Sequence, residues 1–302
     1  MSQIGFIGLG IMGKPMARNL LKAGRSLVVF DLVPGPVSEL VAGGASPAKS
    51  CADAAAQSEV IITMLPDGPD VEAAVLGPEG VLEGARRGSI LVDMSSISPV
   101  VSQKLGKACS LKGIDFVDAP VSGGEPKAID GTLAIMAGGE QAVFDHILPV
   151  LREMGSSVTL TGPVGAGNVT KLANQIMVAC NIAAMGEALV LATSAGLDPE
   201  VVFHAVKDGL AGSTVLNAKA PKAIARNFQP GFRIALHEKD LRNALLAAQS
   251  MKVSLPFTSL AHQILIALMN DGKANLDHSA LVTFTERMAG VEIGKAVAAT
   301  AP

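Results

Sequence analysis

The sequence predicts an open, doubly wound α/β domain over residues 1–163 followed by an all-helical domain over residues 164–302. Three observations carry this reading. Short, unbroken apolar runs alternate with helical stretches through the first half, a glycine-rich segment joins the first run to the first helix, and from about Gly165 no strand-like run remains. Continuous rather than alternating apolar strands are covered on both faces, which makes the sheet parallel with helices on either side.

The first run, Ile4-Gly5-Phe6-Ile7, leads into Gly8-Leu9-Gly10-Ile11-Met12-Gly13 and a helical stretch at residues 14–21. Such a strand, tight turn and helix start is a seat for a dinucleotide pyrophosphate. Gly8 allows the sharp turn, Gly10 lets backbone approach phosphate oxygens, and Gly13 lets the helix pack close on the strand. Leu9, Ile11 and Met12 supply the backbone between them, and the N–H groups of the first helical turn face the anion.

The second strand, Leu27-Val28-Val29-Phe30, ends in Asp31, at the spacing where a carboxylate accepts bonds from the adenosine ribose hydroxyls. The same charge repels the extra phosphate of NADP, and Leu32-Val33-Pro34 offers no basic residue to attract it. NADH is therefore favoured, with NADPH possible. Further apolar runs at residues 60–64, 90–94 and 116–119 complete the strand pattern. Ligands gather at the carboxyl ends of such strands, which places Met64-Leu65, Ser95-Ser96 and Pro120-Val121-Ser122-Gly123-Gly124 along one crevice. In that setting Ser122, Gly123 and Gly124 read as a cradle for a carboxylate, with a hydroxyl and successive small-residue amides.

Beyond Gly165 a long helix runs from near residue 168 to about 195 and stops at Gly196, with Asp198-Pro199 starting the next. Others are expected near residues 201–206, 239–250, 256–271 and 279–289. The greasiest stretch, residues 176–191, contains Asn181 and Glu187 and reads as a helix buried between protein surfaces rather than a bilayer span. The two domains are expected to share an extensive interface with the active site between them. So many apolar helices exceed what one subunit buries, so a homodimer or homotetramer is expected.

Composition narrows the partners. A net charge of −3, nine Phe and neither Tyr nor Trp argue against a nucleic-acid surface. The amino terminus shows no secretory pattern, and a cytoplasmic location is expected. Cys51, Cys109 and Cys180 are widely spaced with no C-x-x-C arrangement, so buried free thiols are expected and no metal site.

A nicotinamide enzyme needs a group that gives a proton to the carbonyl oxygen and takes it back in reverse. Without tyrosine, Tyr-x-x-x-Lys chemistry is impossible, and scattered histidines do not suit zinc. Lys171 is the best candidate, in the opening turns of the long helix with Asn174 and Gln175 at i+3 and i+4 on its face. The helix dipole and partial burial both disfavour its ammonium form. His237, in Leu236-His237-Glu238-Lys239-Asp240, is the rival and reads better as a helix-start histidine. His146, His204, His262 and His278 are assigned no role.

Four stretches, Gly8 to Ala17, Asp118 to Gly124, Gly165 to Gln175 around Lys171, and Lys239-Asp240, resemble in order the signature stretches of the β-hydroxyacid dehydrogenases. The resemblance spans essentially the whole chain. It implies a 6-phosphogluconate dehydrogenase-like pairing of a Rossmann-type domain with a helical one. It further implies Lys171 as general acid/base, Ser122 to Gly124 and Asn174 around the substrate, Ser96 near the nicotinamide ribose, and Lys239 closing over the cofactor. Residues 123–133 and 209–216 resemble the branch that reduces tartronate semialdehyde, a small carboxylate aldehyde, to D-glycerate. The branches acting on 3-hydroxyisobutyrate, glyoxylate or succinic semialdehyde are the alternatives. From a different class, a non-catalytic dinucleotide-binding redox sensor is the alternative, although binding alone needs neither Lys171 nor Asn174. Many members carry asparagine at both positions where this chain has Asn174 and Gln175, which leaves a substrate contact by Gln175 open.

Overall fold

The computed structural model describes residues 3–294 and divides the chain into two compact units, Met1–Lys171 and Leu172–Pro302. In the first unit the elements are β1 (Ile4–Ile7), α1 (Gly13–Lys22), β2 (Leu27–Phe30), α2 (Pro34–Ala42), β3 (Ser46–Pro47), α3 (Cys51–Ala56), β4 (Val60–Thr63), α4 (Gly68–Leu76), α5 (Val81–Gly84), β5 (Ile90–Asp93), α6 (Pro99–Leu111), β6 (Asp115–Asp118), β7 (Val121–Ser122), α7 (Gly124–Asp130), β8 (Leu133–Gly138), α8 (Gln141–Arg152) and β9 (Gly155–Gly162). The sheet runs β3-β2-β1-β4-β5-β6-β8-β7, with β9 on β8.

From β3 through β6 every pairing is parallel, and Ile7, Thr63, Asp93 and Asp118 stand in register at one end of four successive strands. The residues that follow them therefore emerge along one sheet edge. Alternate residues point to opposite faces. Phe6, Val29, Ile62, Val92 and Val117 pack with Met16, Leu20, Ile147 and Leu151 from α1 and α8, whereas Val28, Ile61, Leu91 and Phe116 pack with Val71, Val75 and Leu105 from α4 and α6. Helices on both faces make the domain doubly wound, as the unbroken apolar strands imply.

Past β6 the sheet is no longer uniformly parallel. β8 runs antiparallel to β6 and β7 but parallel to β9. Sequence reading finds neither β8 nor β9. The first is a short apolar run behind the left-handed Gly131 that ends α7, and the second alternates serine and threonine with Val158 and Leu160, as a strand with one solvated face does.

α9 (Ala166–Ser194) starts in the first unit and continues into the second, where α10 (Pro199–Val206), α11 (Thr214–Ile224), α12 (Ile234–Met251), α13 (Pro256–Asn270), a 3₁₀ turn (His278–Leu281) and α14 (Val282–Ala289) follow. The sequence boundary at 163/164 falls just after β9, where the strands end. Ala179, Ile182, Met185 and Leu189 of α9 form the core of the second unit with Phe203, Leu216, Leu241, Leu265 and Leu268. Although α9 is long and apolar enough to cross a membrane, it is a core helix here. α11 is absent from the sequence reading because Pro221 lies inside it; the Ser213 hydroxyl, which accepts from the Leu216 N–H at 2.9 Å, is the start signal that could have revealed it.

Candidate active site

The glycine loop is built by close backbone packing. Gly8 has φ +93°, and a Cβ there would lie 2.4 Å from the Met64 carbonyl oxygen; at Gly13 it would lie 1.9 Å from the Gly8 carbonyl oxygen. Around Gly10 there is open space. No side chain caps the N-terminus of α1 and no acidic residue sits in its first turn; the Lys14 N–H donates to the Gly10 carbonyl at 3.1 Å and Pro15 has no N–H, which leaves the Gly13 amide to an anion. Asp31 fixes the loop from the next strand: Oδ2 accepts from the Leu9 N–H at 2.6 Å and Oδ1 from the Val33 N–H at 2.7 Å. Ile11 is exposed and Met12 half-buried at this edge. An open-faced glycine turn, an uncapped helix start and an anchored carboxylate fit a dinucleotide. When bound, its nicotinamide supplies or accepts hydride.

Along the same edge, the Leu65 N–H donates to Ser95 Oγ at 2.9 Å. Buried Asp93 holds this arrangement, its Oδ1 accepting from Thr63 Oγ1 at 2.8 Å and from the Ser95 N–H at 3.2 Å. Half-buried Met64, Leu65 and Ser96 are thus brought to the glycine loop's edge of the sheet. Burial, with Asp118 on the neighbouring strand adding to it, lifts the Asp93 carboxyl to about 6 against the Ser95 and Thr63 hydrogen bonds. The substrate cradle departs from the expected strand end: Ser122 pairs with Ala134 of β8, and Gly123 (φ +138°) and Gly124 (φ +69°) turn the chain into α7.

The raised Asp93 value has a stability consequence with a definite sign. Between an unfolded carboxyl value of about 4 and the folded value of about 6, the native state holds a proton that the unfolded state has released. This contribution therefore strengthens as pH falls from 7 toward 5. Neutral His278 acts the opposite way, so the comparison must be differential. The Asp93→Asn variant should gain thermal stability relative to wild type at pH 7.5, with the advantage shrinking at pH 5 in thermal scans. An equal difference at both pH values would refute the buried-charge account.

Lys171 lies in the second turn of α9 and is 6% exposed. In the second unit, Asn174 and Gln175 continue the same helix. Asn174 Nδ2 donates to Gln175 Oε1 at 2.9 Å, and Gln175 Nε2 donates to Asp240 Oδ2 at 2.5 Å. Gln175, the departure from the family pattern, thus supports Asn174 and ties it to α12. Lys239 Nζ forms an ion pair with Asp240 Oδ1 at 3.1 Å.

His237, the rival base, is fully buried, with Nε2 3.1 Å from the Gln175 carbonyl oxygen and Nδ1 2.9 Å from His278 Nδ1. The carbonyl requires a proton on His237 Nε2, so His237 Nδ1 accepts from His278 Nδ1–H. Burial, then His237 and Lys219, hold His278 well below the ordinary histidine range. Both imidazoles are engaged with protein partners, which suits a structural role. Sequence reading gave His278 no part in this pair. It also missed Asp277, whose carboxylate receives Lys219 Nζ at 3.0 Å and the Gly231, Phe232 and Ser279 amides. The cysteines are free, with burial pushing the Cys51 thiol up to about 11 and Cys109 to about 12.

The sequence profile of the NAD binding domain of 6-phosphogluconate dehydrogenase matches residues 3–162. The NAD-binding profile of NADP-dependent 3-hydroxyisobutyrate dehydrogenase matches residues 165–285. The chain is 44% identical to a 2-hydroxy-3-oxopropionate reductase of Escherichia coli (strain K12), over 95% of this chain and 98% of that one. It is 43% identical to a 2-(hydroxymethyl)glutarate dehydrogenase of Eubacterium barkeri, over 96% and 97%. A solved 3-hydroxyisobutyrate dehydrogenase of Mycobacterium tuberculosis, in a structure with L-serine, superposes with a TM-score of 0.89 at 33% identity, covering 94% of this chain and 99% of that one. These relatives are oxidoreductases, which sets aside the non-catalytic sensor. Likeness that spans the sheet and the helices alike shows the chain to be an NAD(P)-dependent oxidoreductase of the β-hydroxyacid dehydrogenase family.

Proposed function

We propose that the chain reduces tartronate semialdehyde to D-glycerate with NADH, reversibly, with Lys171 as general acid/base. The observation that carries the chemistry is Lys171 itself, a buried lysine near the start of α9. Lys171 Nζ gives a proton to the aldehyde oxygen as the carbon is reduced and recovers it in the reverse direction. Ser122, with the amides of Gly123 and Gly124, holds the substrate carboxylate, and Asn174, braced by Gln175, orients the lysine or a substrate hydroxyl. Gly8 to Gly13, Asp31, Met64, Leu65, Ser96 and Lys239 keep their cofactor-binding roles in this reading. Asp31 favours NADH by repelling a ribose phosphate.

The reductase relative at 44% identity supports this substrate, and the 2-(hydroxymethyl)glutarate dehydrogenase relative at 43% supports a second reading, a larger dicarboxylate carrying the same hydroxymethyl group. Initial rates with tartronate, methylmalonate and succinic semialdehydes, glyoxylate and the aldehyde of 2-(hydroxymethyl)glutarate, each with both cofactors, decide between them. The highest kcat/KM is expected for tartronate semialdehyde with NADH. A higher value for any other aldehyde refutes the substrate assignment, and a higher value with NADPH refutes the role of Asp31.

A homodimer or homotetramer in the cytoplasm belongs to the same proposal. Large apolar side chains left exposed on α9 and α13, Met177, Leu191, Phe257 and Leu260, support self-association. Sedimentation should show a species larger than the 30.7 kDa chain. A monomer at micromolar concentration refutes it.

A further inference from the structure

Asp118 ends β6 with no exposed surface, and its two carboxylate oxygens meet the start of α9. Oδ1 accepts from the Gly165 N–H at 2.6 Å, and Oδ2 accepts from the Asn168 N–H at 2.8 Å. These amides are among the donors that an opening helical turn leaves without an intrahelical acceptor. The carboxylate also faces the positive end of the helix dipole. Gly167 permits the close approach, because a Cβ there would lie 2.4 Å from the Met136 carbonyl oxygen and 2.9 Å from Asp118 Oδ2. A second fastening comes from the Asn168 side chain, which accepts from the Ile97 N–H at 3.0 Å and donates to Ser102 Oγ at 3.1 Å. Lys171 follows Asn168 by three residues, on the same helix face.

We propose that Asp118 is a positioning residue for Lys171, its carboxylate fixing the height and rotation of the helical turn that leads into the lysine. The proposal rests on Lys171 being the acid/base. Both groups facing the carboxylate are N–H donors, so an amide in its place accepts with one atom and turns an NH₂ toward the other donor. Protonation has a similar consequence. Burial lifts the Asp118 carboxyl to about 6 against the bonds from Gly165 and Asn168. Asp93 is its charged register partner on β5, β8 and β9 carry no charged side chain, and Lys171 lies further along α9. The charged residues of α6 and α8, Lys104, Lys107, Asp145, His146 and Arg152, are exposed to solvent. Turnover should therefore fall as pH drops through about 6.

The test combines kinetics with amide hydrogen exchange on the full chain. Asp118→Asn should lower kcat about 10²-fold, the scale of a displaced catalytic group. NADH affinity, read from nucleotide fluorescence, should be unchanged, exchange at the Gly165 and Asn168 amides should accelerate, and the acid limb of the kcat profile should disappear. Wild-type kcat with slow exchange at both amides overturns the proposal. Asn168→Ala keeps both backbone bonds to Asp118 and loses only the Asn168 side chain's contribution to holding the carboxyl down, so it should keep an acid limb, displaced upward if at all, and slow Gly165 exchange. If Asp118→Asn does not fold, absence of an acid limb near pH 6 in both wild type and Asn168→Ala overturns the proposal instead. Lys171→Ala, run alongside, separates the failures: retained turnover there overturns the acid/base assignment, while exchange at Gly165 and Asn168 still reports the Asp118 fastening independently.

Discussion

Replacing Lys171 with alanine is expected to lower turnover by about 10²–10⁴-fold, the range supplied by a positioned general acid, while NADH continues to bind. That loss corresponds to about 3–5 kcal/mol of transition-state stabilisation. The expectation follows from the separation of roles along the chain. In the proposed cofactor site Gly8 to Gly13 face the pyrophosphate and Asp31 the adenosine ribose, and the bond and packing that shape this loop do not involve the lysine side chain. Lys171→Arg should not restore turnover, because guanidinium keeps its proton at working pH and its planar fork replaces a compact ammonium. Steady-state kcat and a fluorescence titration with NADH give the two readings. Wild-type turnover in Lys171→Ala would remove the lysine from the chemistry.

The parts of this site legible in the sequence are those whose physics is local. A strand, three spaced glycines and a helix start lie within a few residues of each other, and Asp31 follows at a spacing set by one helix and one strand. Lys171, Asn174 and Gln175 share a face because helical spacing places them there. What escaped depends on contacts between distant segments. Asp118 and Asn168 are 50 residues apart, His237 and His278 are 41 apart, and Lys219 and Asp277 are 58 apart. No periodicity links such pairs before the chain is folded. Asp118 was visible only as a member of a motif, and its partners appeared once β6 and the start of α9 were adjacent. Gln175 shows the same limit in reverse: its departure from the family pattern raised a question about substrate, whereas its bonds to Asn174 and Asp240 make it a brace.

Gly13→Ala and Gly10→Ala should behave oppositely although both alter the same loop. At Gly13 the added Cβ would lie 1.9 Å from the Gly8 carbonyl oxygen and 3.0 Å from its carbon, and backbone cannot swing away as a flexible side chain can. The helix must retreat from β1, disturbing Met16, Ala17 and Leu20 in the core beneath it. Overpacking of this kind costs about 1–3 kcal/mol, which for a chain of this size lowers Tm by roughly 2–5 °C. NADH affinity should fall with it, because the amides at the start of α1 no longer share one geometry with the loop. At Gly10 no atom lies within 4 Å of the added Cβ, so Gly10→Ala should fold with unchanged Tm. Its methyl group instead stands where backbone approaches phosphate, weakening NADH without a structural penalty. Thermal scans and NADH titrations of the two variants separate the packing role from the ligand-approach role. A Gly13→Ala protein with wild-type Tm and affinity would refute the first, and a Gly10→Ala protein with wild-type affinity would refute the second.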